Sequence, residues 1–135
     1  MKIEFDGDIV FLHPDEQEYG CLYSAAGANV YSPDQRLAGV ANAIIQSGSR
    51  HAEASILANN SQLWDLITLL DSQANKLQDK ALDIHFAPGW NSLAQWCALR
   101  TIQRRQRAAL ALSAQLQEAA VIRLNEAIDI FGYDA

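Results

Sequence analysis

Proline is scarce in this sequence: Pro14, Pro33 and Pro88 are all it has, and none follows residue 88. That excludes a Pro-rich linker. Cysteine is scarcer, with Cys21 and Cys97 alone. Small secreted domains stapled by disulfides carry denser, paired cysteines, so these two are expected as reduced thiols packed like small hydrophobes. No apolar run nears the ~20 residues of a membrane span. The opening Met1-Lys2-Ile3-Glu4-Phe5-Asp6 has no apolar stretch behind a basic start, unlike a secretory signal. The expected location is cytoplasmic, with no membrane contact.

Basic residues are outnumbered, ten against sixteen acidic, for a net charge of -6. A chain of that sign repels phosphate backbones at long range, which speaks against nucleic acid as a partner. The charge is unevenly placed. Glu4, Asp6, Asp8, Asp15, Glu16 and Glu18 crowd the first twenty residues. Arg100, Arg104, Arg105 and Arg107 put four of the ten basic residues within eight positions.

Recognisable chemistry is also missing. There is no nucleophile elbow, P-loop, dinucleotide fingerprint or Cys-His pair at a known spacing. His51-Ala52-Glu53 has the His-x-Glu spacing of zinc-dependent deaminases, where His binds zinc and Glu moves protons. Those proteins complete the site with Pro-Cys-x-x-Cys. Here Cys97 has no cysteine three residues away, and Pro88 is followed by Gly89-Trp90. One His and one distant Cys leave zinc short of ligands. Neither a metal nor a cofactor is expected.

What is present is a single domain, residues 1–135, half of it hydrophobic and of the commonest domain size. The pattern predicts an α+β fold, mostly helical, with a small N-terminal antiparallel β-meander over 1–31 and a helical part over 32–135. Ile3, Phe5, Ile9 and Phe11 alternate with polar residues around Asp6-Gly7, a hairpin signal because a tight turn needs positive φ. Residues 13–19 read as a polar loop. Cys21-Leu22-Tyr23 and Val30-Tyr31 read as a second hairpin. Ser32, Pro33 and Gln35 announce a helix through a capping box, with Leu37, Val40, Ala41, Ile44 and Ile45 on one face and Gly48 as its stop. A short helix is expected over 50–58.

Two long helices follow. Leu63, Ile67, Leu70, Ala74, Leu77, Ala81 and Ile84 recur at alternating steps of four and three, a coiled-coil seam widened by Trp64, Leu66 and Leu69. His85-Phe86-Ala87-Pro88-Gly89-Trp90 must end that helix. From Asn91 or Ser92 to Phe131 there is neither Pro nor Gly. An unbroken helix there spans about 60 Å, so it must bend or project. Val121, Leu124, Ile128 and Phe131 give it an apolar face, with Leu116, Ala120 and Ala127 beside it. The two helices are expected to form an antiparallel αα-hairpin. Apolar positions in more than one stripe imply more than one neighbour, and a second copy would close the hairpin into a four-helix bundle.

Arg100, Arg104 and Arg107 share a face of the last helix, and Arg105 points elsewhere. With Trp90, Trp96 and His85 they are the candidate ligand- or partner-binding residues, because aromatics and Arg dominate binding hot spots. The bland alternatives are a solvated stripe, one paired with the acidic N-terminal segment, and a turn whose Phe86 and Trp90 seal the hairpin end. No catalytic residue is proposed. The expectation is a non-enzymatic protein–protein interaction protein, self-associating as a homodimer or higher homo-oligomer, of adaptor, assembly or inhibitor type. The alternative is an oligomeric binding module for a small anionic ligand such as a nucleotide, with the Arg stripe and aromatic turn forming the site.

Overall fold

A computed structural model describes residues 1–27, 34–46, 56–86 and 92–131. It has the α+β class expected from the pattern: an N-terminal antiparallel hairpin and four helices, the last two long and packed together. Strand β1 (Lys2–Asp6) pairs antiparallel with β2 (Ile9–His13), from Lys2 opposite His13 to Asp6 opposite Ile9. Gly7 and Asp8 make the turn, and Gly7 has φ +60°. A glycine with positive φ at the first central position matches the right-handed twist of the flanking strands. The two-residue turn also fixes which side chains share a face. Ile3 lies opposite Leu12 and Phe5 opposite Val10, so Val10 and Leu12 enter the core with Ile3 and Phe5 against it. Ile9, expected beside Phe5, points the other way and is 43 % exposed.

The second hairpin does not exist as read. Residues 16–27 form helix α1 (Glu16–Gly27), which removes the 13–19 loop and the Cys21–Tyr23 strand. Val30 and Tyr31 lie outside the described residues. The cause is a capping box that the polar composition concealed. The Glu18 N–H donates to Asp15 Oδ1 at 2.7 Å, and the Asp15 N–H donates to Glu18 Oε1 at 3.0 Å. The bond from the Glu18 N–H holds the exposed Asp15 carboxyl below its usual range. Leu22, Ala25 and Ala26 then bury one helical face, and the Tyr19 hydroxyl donates to the Ile44 carbonyl at 3.1 Å.

Helix α2 (Gln35–Gln46) buries Val40, Ala41 and Ile44 on the expected face. Its cap is Asp34, whose Oδ1 accepts the Arg36 N–H at 3.1 Å. Ser32, Pro33 and Gly48 lie outside the described residues. The expected helix over 50–58 is corrected at its end: Ile56–Asn59 form strand β3, antiparallel to β2. The sheet order is β1-β2-β3, so the third strand comes from beyond α2. The open edge of β2 carries backbone groups that need partners, a demand no local pattern reports.

Helix α3 (Asn60–Phe86) starts at a second capping box, with Gln62 N–H to Asn59 Oδ1 at 2.8 Å and Asn59 N–H to Gln62 Oε1 at 3.0 Å. Helix α4 (Ser92–Phe131) runs its 40 residues without interruption. The two are antiparallel. Ser113 of α4 donates its hydroxyl to Asp71 Oδ1 of α3 at 2.6 Å, and Gln95 Nε2 donates to the Ile84 and His85 carbonyls at 2.9 Å each. Leu63, Leu66, Ile67, Leu69, Leu70 and Ala74 meet Ala109, Leu112, Leu116 and Ala120 in one core with α1, α2 and the sheet. Farther out, among the described residues of 75–86 and 92–107, only Leu77 and Ile102 are buried. The hairpin therefore projects from the core as a two-helix arm, and α4 does not bend back.

Leu70 is fully buried in the seam. Leu70→Asp is expected to destabilise the fold by more than about 3 kcal/mol, because a buried unpaired charge is among the costliest substitutions. Urea denaturation followed by circular dichroism checks this; an unchanged midpoint would mean the seam is wrongly placed.

Candidate interaction site

Helix α4 carries two rows at heptad spacing. Ile102, Ala109, Leu112, Leu116 and Ala120 are buried. The second row, roughly 100° round the helix from the first, runs through Leu93, Trp96, Arg100, Gln103, Arg107, Leu110, Ala114, Gln117, Val121 and Leu124. Every one of these is exposed. Val121 and Leu124, expected to form the packed face, are 47 % and 56 % exposed. The buried face lies one position off, on Leu116 and Ala120. Small residues there let α4 approach α3 closely enough for the Ser113–Asp71 bond.

The sequence-selected site residues fall at the arm. Trp96, Leu99, Arg100, Gln103, Arg104 and Arg107 line an open groove of ≈ 550 Å³. The Arg100 guanidinium stacks over the Trp96 ring, 5.1 Å from its centroid, which orders the first cation of the row. Trp96 itself is 55 % exposed. Arg105 is exposed but does not line this groove. His85 is not part of it. Its ring meets Phe86 edge-on at 4.9 Å, and it borders a second depression of ≈ 320 Å³ with Leu82, Leu99 and Gln103. Leu99 and Gln103 thus form a ridge shared by both hollows. Trp90 lies outside the described residues. Phe86 does not seal the hairpin, being 76 % exposed; Gln95 holds that end through the last carbonyls of α3, a role its sequence context gave no sign of.

The arginines have no ion-pair partner among the described residues. In the acidic N-terminal segment, Glu18 meets the N-terminal ammonium at 2.9 Å. Glu4 contacts Lys2 at 2.9 Å and His13 at 3.4 Å, and the Lys2 ammonium holds its exposed carboxyl below the usual range. The cation that does reach this segment is Arg123, which donates to the Gly7 carbonyl at 2.8 Å and sits 5.5 Å over the Phe5 ring. Nothing in the sequence singled it out from the other arginines.

No group of three or more His, Cys, Asp or Glu side chains able to hold a metal occurs among the described residues; His51 and Glu53 lie outside them. No helix among the described residues is long and apolar enough to cross a membrane. The groove therefore offers three arginines beside the apolar side chains of Trp96 and Leu99. That suits recognition of an acidic or amphipathic surface. Compared with protein-family models, curated proteins and solved structures, the chain matches none.

The two cysteines are both free and differ in setting. Cys21 packs partly buried against the core, and burial raises its thiol above the usual value. Cys97, expected to pack as a small hydrophobe, is exposed on the arm. A maleimide applied to the folded protein is expected to label Cys97 well before Cys21, since the thiolate is the nucleophile and must be accessible. Because burial raises the Cys21 thiol, its labelling should stay slow until the pH passes above the usual thiol value. Peptide mass spectrometry reads the order, and equal labelling would contradict the assigned burial.

Proposed function

We propose that this chain works by protein–protein association, as a non-enzymatic, self-associating adaptor, assembly or inhibitor-type protein that forms a homodimer or higher homo-oligomer in the cytoplasm. One observation carries the proposal: the second row of α4 is exposed from Leu93 to Leu124, about 47 Å of helix. A single helix row that long, with large apolar residues toward both ends, is the kind of surface that marks an interface. It is continuous with the packed hairpin, so a second hairpin would bury it by the same geometry that joins α3 to α4. Another protein presenting an amphipathic helix is the other occupant of the same kind.

Size-exclusion chromatography with light scattering, run across a wide concentration range, tests this. The expected result is a dimer or larger species that dissociates on dilution. A monomer throughout would remove self-association.

A second proposal rests on a separate observation, the stacking of Arg100 on Trp96 within a groove that Arg104 and Arg107 also line. That groove would hold a small anionic ligand such as a nucleotide. In thermal shift assays a ligand at a hundred times its dissociation constant adds about 2.7 kcal/mol of stability. Flat melting curves against nucleotides and inorganic phosphate would remove it for those ligands.

A further inference from the structure

Charge is segregated along α4. Residues 92–111 hold Arg100, Arg104, Arg105 and Arg107 and neither Asp nor Glu. Residues 112–131 hold Glu118, Glu126 and Asp129 against Arg123, and Arg123 is already engaged with Gly7 and Phe5. None of the ion pairs among the described residues involves the four arginines, Glu118 or Glu126. The helix is thus a rod with a positive half and a negative half whose described charges, Arg123 apart, form no ion pair among the described residues, and the exposed row runs across both.

We propose that the partner of this row is α4 of a second copy, packed antiparallel about a twofold axis near Ala111, with the arginine half of each helix on the acidic half of the other. The proposal rests on the self-association put forward above and gives it a geometry. A twofold perpendicular to two antiparallel helices keeps each flank on its own side, so a flanking row meets its own counterpart. Arg104 and Glu118 stand two heptads apart on the same flank of the exposed row, with Ala111 midway between them. An axis at Ala111 therefore sets Arg104 of each copy level with Glu118 of the other, twice by symmetry. At the axis itself Ala111 and Ala114 leave room for close approach, with Leu110 as the large apolar contact between them. Toward the ends, Arg100 comes level with the Val121–Leu124 stretch of the other copy, whose apolar side chains can cover its methylene stem.

The parallel alternative is disfavoured by the same charges. It would stack Arg100 on Arg100 and Arg107 on Arg107 across the axis, like charges with no acid nearby. Antiparallel pairing also uses the whole exposed row, some nine turns, which provides the roughly 20–30 residues a side of a standard interface. Because the flank opposite Arg104 is where α4 meets α3, each α3 is left beside the pair, giving a four-helix arrangement.

Charge exchange and cross-linking test the geometry. Arg104→Glu places Glu against Glu118 and is expected to weaken the dimer on the order of tenfold or more, read by light scattering on dilution. Adding Glu118→Arg restores opposite charges and should return the affinity to near its starting value. Both positions are exposed, and circular dichroism verifies that each variant is folded. Cys97 supplies a control, since two copies of it would lie about 42 Å apart along the pair. A short bis-maleimide should therefore fail to join Cys97 to Cys97, but should join the copies of an Ala111→Cys variant made in a Cys21→Ser/Cys97→Ser background. A dimer that cross-links through Cys97 and not through position 111, or whose charge exchange fails to restore affinity, overturns the antiparallel pairing and leaves self-association standing. A chain that is monomeric at every concentration overturns both.

Discussion

Everything in this molecule hangs on the seam between α3 and α4. Its inner half is a Leu- and Ala-rich interface in which Leu66, Leu69 and Leu70 are fully buried against α4 residues as small as Ala109 and Ala120. Small side chains on one helix and large ones on the other bring the axes close. That closeness permits the 2.6 Å bond from the buried Ser113 hydroxyl to Asp71. A bond of that kind fixes the sliding register of two helices, which apolar contacts alone leave soft, because a slip would strand a buried hydroxyl. The register in turn delivers Arg123 to the Gly7 carbonyl and the Phe5 ring, tying the hairpin turn to the far end of α4.

The same seam determines what is left over. The sheet, α1 and α2 cover the inner part of the hairpin, and among the described residues of the outer part only Leu77 and Ile102 are buried. Among the described residues, every position of the second row of α4 from Leu93 to Leu124 is exposed. The candidate surface is thus a consequence of a core shorter than the helices it organises. The arginine groove with Trp96 lies on the projecting arm, where an incoming surface meets the least competition from the rest of the chain.

Much of this was legible beforehand. The Asp6-Gly7 hairpin, the one-sided α2, the seam of α3 through Leu63, Ile67 and Leu70, and a last helix free of Pro and Gly all follow from local pattern and spacing. So did the arginine stripe, since Arg100, Arg104 and Arg107 fall on one face by helical geometry. Helix α1 did not: Cys21-Leu22-Tyr23 is too short to distinguish a strand from a buried helix turn, and the Asp15–Glu18 capping box hid in an acidic run. Nor did Gln95 or Arg123, whose roles depend on which carbonyls other elements bring within reach.

The sequence by itself determined the periods: where the chain is helical, where it must turn, and that α4 has more apolar rows than one neighbour can cover. Those are properties of nearest neighbours along the chain. Tertiary structure decided which row of α4 is inside and that Ile56–Asn59 completes the sheet. Two rows of α4 carry apolar residues, and α3, with its buried leucines and Asp71, selects the one that fits. A strand edge is likewise closed by whichever segment the fold carries past it, because backbone hydrogen bonds accept any strand that arrives in register.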